Sequence, residues 1–342
     1  MTSRERLMCA LSGGTPDRVP YCEVGVSGRI VSSLTGGNEY VLFGGIDEMD
    51  SRDPDTELAI SRLLHRDMIC YRLQPPVPAE RRFGSDGIPY YLDGPIKSVA
   101  DLDKIELPDP DDEELWKGAS SFVNDAGEKA TCLATRIGIS AAYLACGMET
   151  FSISLYEDPG LIDGLLDLYS DWAARVVARA DEFGFDFVWT SDDIAFKTGP
   201  LVSPQMFRER IIPFARRVAD AVNIPWVYHS DGDLTELMDD LLDLGISAIN
   251  PIEPEAMDIV ETKRKWGSNV CLIGNVSVHT LAAGSPDDVR REVMHLLQSV
   301  APSGGYILSS GNSLASYCKP ENVRAMIDTL RAHGSYPIEV SS

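Results

Sequence analysis

Short β-rich runs separated by helical patterns recur through the second half of this 342-residue chain at roughly 25-residue intervals, and each run ends in polar residues. Such alternation marks parallel β/α units, because parallel strands need a crossover, usually a helix, to bring the chain back. Residues 187–189 read as a buried strand ending in Thr190-Ser191-Asp192-Asp193. Ser203 then caps a helix with Pro204 at its first position, running to about Val222. Residues 226–228 end in His229-Ser230-Asp231-Gly232-Asp233, and the helix over 234–244 is stopped by Gly245. Strand 247–249 ends in Asn250-Pro251-Ile252-Glu253, and after a helix over 257–266 strand 270–273 ends in Gly274-Asn275-Val276. A helix opened by Ser285-Pro286-Asp287-Asp288 leads to strand 306–308, which ends in Ser309-Ser310-Gly311-Asn312; the last helix begins near Pro320.

The first half adds strand candidates at 19–24, 68–71 and 131–135, which makes eight, the count of a closed (β/α)8 TIM barrel. Long helices such as 161–182 supply its outer ring. The stretch 82–105, rich in Gly, Pro and Asp with Tyr90-Tyr91, fits an inserted hairpin and loop. No linker divides the chain, so one domain over 1–342 is expected, with a doubly wound sheet as the alternative.

No run of some 18 apolar residues exists, so no transmembrane helix is expected. The start, Met1-Thr2-Ser3-Arg4-Glu5-Arg6, is charged and lacks a signal-peptide core. Seven cysteines are scattered without a C-x-x-C pair, which argues for a reducing cytoplasm and against a disulfide framework or zinc ribbon. The formal charge of -23 excludes a nucleic-acid partner, whose phosphates need a basic footprint. It leaves open an acidic host or an acidic docking face.

Catalytic groups of a β/α barrel gather at the C-terminal ends of its strands. Those positions here carry Glu23, Arg72, Arg136, Asp192, Asp193, His229, Asp231, Asn250, Glu253, Asn275, Ser309, Ser310 and Asn312. Of the adjacent aspartates only one can point into the mouth; the other caps a helix or binds backbone amides. The inward one would orient substrate or move a proton. His229 directly ends a strand, either as a rim hydrogen-bonding residue or as a catalytic one. With Asp231 and Glu253 it offers three ligands suited to zinc or another divalent ion. There is no P-loop, no G-x-G-x-x-G after a strand and no G-x-S-x-G elbow, which disfavours nucleotide-fuelled chemistry and serine hydrolysis.

The pieces Pro16-Asp17-Arg18-Val19-Pro20, Asp192-Asp193-Ile194-Ala195, Gly199-Pro200-Leu201-Val202-Ser203-Pro204 with Phe207, His229-Ser230-Asp231-Gly232-Asp233 and Gly274-Asn275-Val276 resemble the uroporphyrinogen decarboxylase superfamily over nearly the whole chain. The resemblance implies a β/α barrel and one of two chemistries. True decarboxylases carry a Pro-x-x-x-x-Arg-Gln-Ala-Gly-Arg signature, whose arginines grip the substrate carboxylates. Here the matching stretch runs from Pro20 to Arg29, and only Arg29 survives; Gly25 stands at the first arginine and Arg72 near the decarboxylase aspartate. A substrate with many carboxylates needs several cations, so porphyrinogen decarboxylation is not expected.

The other branch comprises cobalamin-dependent methyltransferases. Its coenzyme M enzymes bind zinc through a His-x-Cys pair and a distant cysteine. This chain keeps His229 but has Asp231 at the first cysteine position, Ser310-Gly311-Asn312 near the second, and Glu253 where a further acidic ligand falls. Hard oxygen in place of soft sulfur disfavours thiol activation. The resemblance therefore implies a methyltransferase or O-demethylase that moves a methyl group between a small methylated donor, methoxylated aromatics among them, and cobalamin on a partner corrinoid protein. His229, Asp231, Asp192 and Asp193 would be its catalytic groups. Glu23, Arg72, Arg136, Asn250, Asn275, Ser310 and Asn312 would line the pocket. A decarboxylase of a smaller acid and a non-catalytic corrinoid- or tetrapyrrole-binding protein are the competing expectations, and a homodimer is a compatible assembly.

Overall fold

The computed structural model describes residues 1–35, 54–83 and 89–338. Seven strands form one parallel sheet in chain order: β1 (Met68–Arg72), β2 (Ala130–Thr135), β3 (Phe187–Ser191), β4 (Trp226–His229), β5 (Ala248–Asn250), β6 (Cys271–Val276) and β7 (Tyr306–Ser310). Each pairs in register with the next. Helices cross between them, the longest being Pro159–Glu182.

An eighth strand was expected at 19–24, and the structure gives that segment only an isolated parallel bridge between Tyr21 and Leu308. The segment does close the gap between β7 and β1. On the β7 side the Cys22 amide donates to the Leu308 carbonyl and the Leu308 amide to that of Pro20. Pro20 has no N–H to give a ladder. Tyr21 spends its N–H on the Asp67 carboxylate at 2.9 Å. On the β1 side the Asp67 amide donates to the Tyr21 carbonyl at 2.8 Å, and two guanidinium groups add to it: Arg66 donates to the Glu23 carbonyl at 2.8 Å, and Arg72 to that of Val24.

Side chains alternate across the sheet with period two. Cys70, Cys132, Phe187, Trp189, Val227, Ala248, Cys271, Ile273 and Ile307 form an inner cluster, joined by Leu7, Ala10 and Leu11 of the N-terminal helix Ser3–Leu11. The intervening residues, Leu133, Val188, Tyr228, Ile249 and Leu272 among them, belong to the larger core beneath the helices. Thr2 and Glu5 form a capping box on the N-terminal helix, which fixes where it starts.

Within the expected insertion, Arg81–Phe83 and Pro89–Tyr91 pair antiparallel as a separate ribbon. The helix that Ser203 caps does reach Ala221, but it contains a π turn at Phe207–Ile211. Pro213 removes the N–H that the Glu209 carbonyl would otherwise use, which accounts for the altered turn.

Candidate active site

The period-two rule, carried to the end of each strand and two residues past β3, decides which polar residues enter the mouth. Val227 faces inward, so His229 does; Ala248 brings Asn250, Ile273 brings Asn275, and Ile307 brings Ser309. On β3 the inward set is Phe187, Trp189 and Ser191, which leaves Asp193 inward and Asp192 outward. The Asp192 carboxylate indeed turns to the turn after β2, where it accepts from the Ile137 amide at 2.6 Å, the Ser140 amide at 2.7 Å and the Ser140 hydroxyl at 2.8 Å. The helix Ile139–Cys146 starts after Gly138, which has no side chain to cap it, so Asp192 supplies the cap from a neighbouring strand. Burial pushes this carboxyl up, while those bonds favour the charged form.

His229 Nδ1 lies 2.6 Å from Asn250 Oδ1. The Asn250 amide nitrogen donates to the Ile273 carbonyl at 3.2 Å and to Ser309 Oγ at 3.3 Å, so its oxygen must face the imidazole. An amide oxygen only accepts, which places the proton on Nδ1 and leaves Nε2 as a lone-pair donor toward the mouth.

Nε2 stands 3.8 Å from Asp231 Oδ1. Among the described residues, His229, Asp193 and Asp231 form a group whose ligand atoms all lie within 4.8 Å of one another. Asn312 donates to Asp231 Oδ2, and Asp193 Oδ1 accepts from the Asp231 amide at 2.9 Å. Asp231 Oδ1 is buried and makes no hydrogen bond among the described residues. Burial pushes the Asp231 carboxyl up to about 6. An orphaned carboxylate oxygen beside an imidazole lone pair fits a divalent ion held by one nitrogen and two oxygens. Glu253, expected as the third ligand, is engaged elsewhere: it accepts from the Gly232 amide at 3.0 Å and pairs with Lys197 at 2.9 Å. Asp193 takes its place in the group.

Two cavities adjoin at His229 and Ser191. The larger, about 230 Å³, lies between Tyr91, Arg136, Ser140, Tyr143, Asp193 and His229. Arg136 is held there by Gln74 at 3.1 Å and Ser140 at 3.2 Å. The smaller, about 20 Å³, lies between Glu23, Trp189, His229, Asn250, Ser309 and Asn312. Ser310 serves Glu23, donating its amide at 2.6 Å and its hydroxyl at 2.8 Å.

Two expected pocket residues have scaffold bonds instead. Asn275 donates to the Ile252 carbonyl at 2.7 Å, and Arg72 ties the closing segment to β1. Sequence reasoning missed Trp189, Ser191, Ser140 and Tyr143. The first two share the parity of Asp193, which was a usable signal. Ser140 and Tyr143 lie on a helix, where no strand rule points.

The fold and site together define a parallel β/α protein whose strand-end mouth gathers two carboxylates, an imidazole of fixed tautomer and an arginine. A family model for uroporphyrinogen decarboxylase (URO-D) matches residues 77–333, and the chain belongs to that family. Its relatives are enzymes of two kinds. Uroporphyrinogen decarboxylase of Alkalilimnicola ehrlichii is 25% identical over 258 residues, covering 70% of this chain and 68% of its own. A methylcobamide:CoM methyltransferase of Methanosarcina barkeri is 27% identical over 348 residues, covering 95% and 96%. In fold, the chain is similar to a methyltransferase from Methanosarcina mazei, with a TM-score of 0.76 at 20% identity over 97% of this chain and 99% of that one.

Proposed function

We propose that this protein is a methyltransferase that moves a methyl group from a small methylated donor, a methoxylated aromatic being the type that suits the site, to cobalamin carried by a partner corrinoid protein. The observation that carries it is the Asp193, His229 and Asp231 group, with one oxygen of Asp231 buried and unbonded. A methyl group bound to oxygen leaves only if the developing negative charge on that oxygen is met by a proton or a Lewis acid. A divalent ion held by these three residues would supply the Lewis acid. Asn250 sets the His229 tautomer so that Nε2 faces the ion, and Asn312 orients Asp231. The larger cavity takes the body of the donor between Tyr91 and Tyr143, with Arg136 along its wall. Asp192 acts one layer out, holding the turn that carries Arg136 and Ser140.

Decarboxylation of a substrate with several carboxylates fits this mouth poorly. At Gly25, where decarboxylases carry arginine, a Cβ would sit 2.8 Å from that of Ser313, so no side chain fits unless the neighbouring loop moves. Arg29, the surviving signature arginine, is exposed. Purified protein mixed with cob(I)alamin and a panel of methoxylated donors tests the reading. Appearance of the methylcobalamin spectrum supports it. Release of carbon dioxide from small acids, with cobalamin unchanged, would favour a decarboxylase, and appearance of neither product would leave a binding protein.

A further inference from the structure

The helix Ile139–Cys146 presents Ser140, Tyr143 and Leu144 to the larger cavity, the i, i+3 and i+4 positions of one helix face. Ser140 is already spent there, since its hydroxyl donates to Asp192 at 2.8 Å and accepts from Arg136 at 3.2 Å. Tyr143 is not. Phe151 meets its ring edge to face at 6.0 Å, while its hydroxyl makes no hydrogen bond among the described residues. The charges that act on that hydroxyl are those of the mouth: Asp193 first, then Asp192, Arg136 and Asp231. A phenol O–H turned inward normally has a partner. Here the space it lines is the cavity shared with Asp193 and His229, where the donor would sit. Resting on the methyltransferase reading, we propose that Tyr143 is a catalytic residue whose hydroxyl donates a hydrogen bond to the donor oxygen that loses its methyl group.

A neutral O–H suits that position better than the charged groups around it. As carboxylates, Asp192, Asp193 and Asp231 have no proton to offer and repel the charge that grows on a departing oxygen. Burial and the charges of Asp193 and Asp192 push the Tyr143 phenol up, against Arg136. The hydroxyl therefore keeps its proton and acts by donating a hydrogen bond, not by giving the proton away. Held by its helix and by Phe151 before the donor arrives, it needs no rearrangement as the charge develops. An oxygen has lone pairs to accept that bond, and a quaternary nitrogen has none. Tyr143 thus selects donors that carry the methyl group on oxygen, while Leu144 and Tyr91 give an arene apolar walls.

In the step, the carbon–oxygen bond breaks and its electron pair stays on the oxygen. The methyl carbon bonds to cobalt through the cobalt electron pair, so cob(I)alamin becomes methylcob(III)alamin. The phenoxide so formed keeps the Tyr143 hydrogen bond and takes its proton from solvent as it leaves. The bond is stronger to the charged product oxygen than to the ether oxygen, so it lowers the barrier more than it tightens donor binding.

The test compares wild type with Y143F, which keeps the ring against Phe151 and removes only the hydroxyl. Because no bond of the free protein is lost, the variant should melt within about 2 °C of wild type. A drop well beyond that would show a structural hydroxyl and overturn the proposal. Methyl transfer to cob(I)alamin is then followed with methoxyarenes of graded phenol acidity. Y143F should lose about 10²–10³-fold in kcat with the most basic phenoxide, falling toward about tenfold with the most acidic, while KM changes little. An equal loss across the series, or no loss, overturns the proposal. Affinity for 4-nitrophenolate, read from its absorbance, needs no turnover: it should weaken about tenfold in Y143F, and equal affinity overturns the proposal as well. If wild type methylates no cob(I)alamin from any donor, the methyltransferase reading and the Tyr143 role fall together; a flat Y143F series alongside active wild type sinks only the latter.

Discussion

Asp192 and Asp193 are adjacent in sequence and turn to opposite sides of the sheet, so on the proposed reading they separate stability from chemistry. Asp192→Ala would orphan two buried amides and a hydroxyl, and should cost about 2–4 kcal/mol in chemical denaturation. Asp193→Ala should change stability by less than about 1 kcal/mol while weakening divalent-ion binding. Asn250→Ala should lower that ion affinity about 10–100-fold in a competition titration, because His229 loses the partner that fixes its tautomer. Glu23 gives a pH signature. Its carboxyl is raised by burial from 4.5 to about 7, so the native state holds its proton longer than the unfolded one. That stabilisation is complete below the unfolded value and is lost as pH rises through about 7, by up to about 3 kcal/mol. Denaturation of wild type minus E23Q at pH 5 and pH 8 should differ in that direction; a difference that is flat, or grows with pH, would contradict the assignment. The side of the strand each residue takes was legible from period two alone. The sequence could not show that Gly138 leaves a helix start uncapped and recruits Asp192, since that pairing joins residues 52 and 55 positions apart.

Among the elements, the strands from β1 to β7 were legible because each is a short apolar run with a polar end. The 19–24 segment has the same pattern, and its departure lies in bonds that the apolar pattern does not announce: Tyr21 spends its amide on the Asp67 carboxylate, and Arg66 and Arg72 bond the Glu23 and Val24 carbonyls. The turn after β4 depends on close backbone approach. Gly232 has φ +91°, and a Cβ there would sit 2.6 Å from the Ala195 carbonyl oxygen of the small ribbon formed by Ala195–Phe196 and Gly199–Pro200. That ribbon also receives the Asp233 amide on the Phe196 carbonyl. Gly232→Ala should therefore destabilise by about 1–3 kcal/mol and displace Asp231, which thermal melts and ion titration on the same variant would show together. Unchanged ion affinity would mean that the turn does not set the ligand geometry.

At the scale of the whole molecule, the barrel-like architecture and the position of its mouth follow from the pattern of strands, and family membership follows from the match over residues 77–333. No described helix is long and apolar enough to cross a membrane. The proposed choice between the two chemistries of the family rests on fewer atoms: Gly25 in place of arginine, and the Asp193, His229 and Asp231 group. The composition of the proposed ligand group was only half legible, because Asp193 and Glu253 are both carboxylates near the mouth, and the Gly232 amide and Lys197 that engage Glu253 tell them apart. The most direct test is the absorbance of cob(I)alamin mixed with a methoxylated donor and either wild type or H229A protein. The account predicts conversion to methylcobalamin by the wild type and a loss of at least about 10²-fold in H229A. Equal rates for the two proteins, or no methylcobalamin from wild type with any donor, would contradict it.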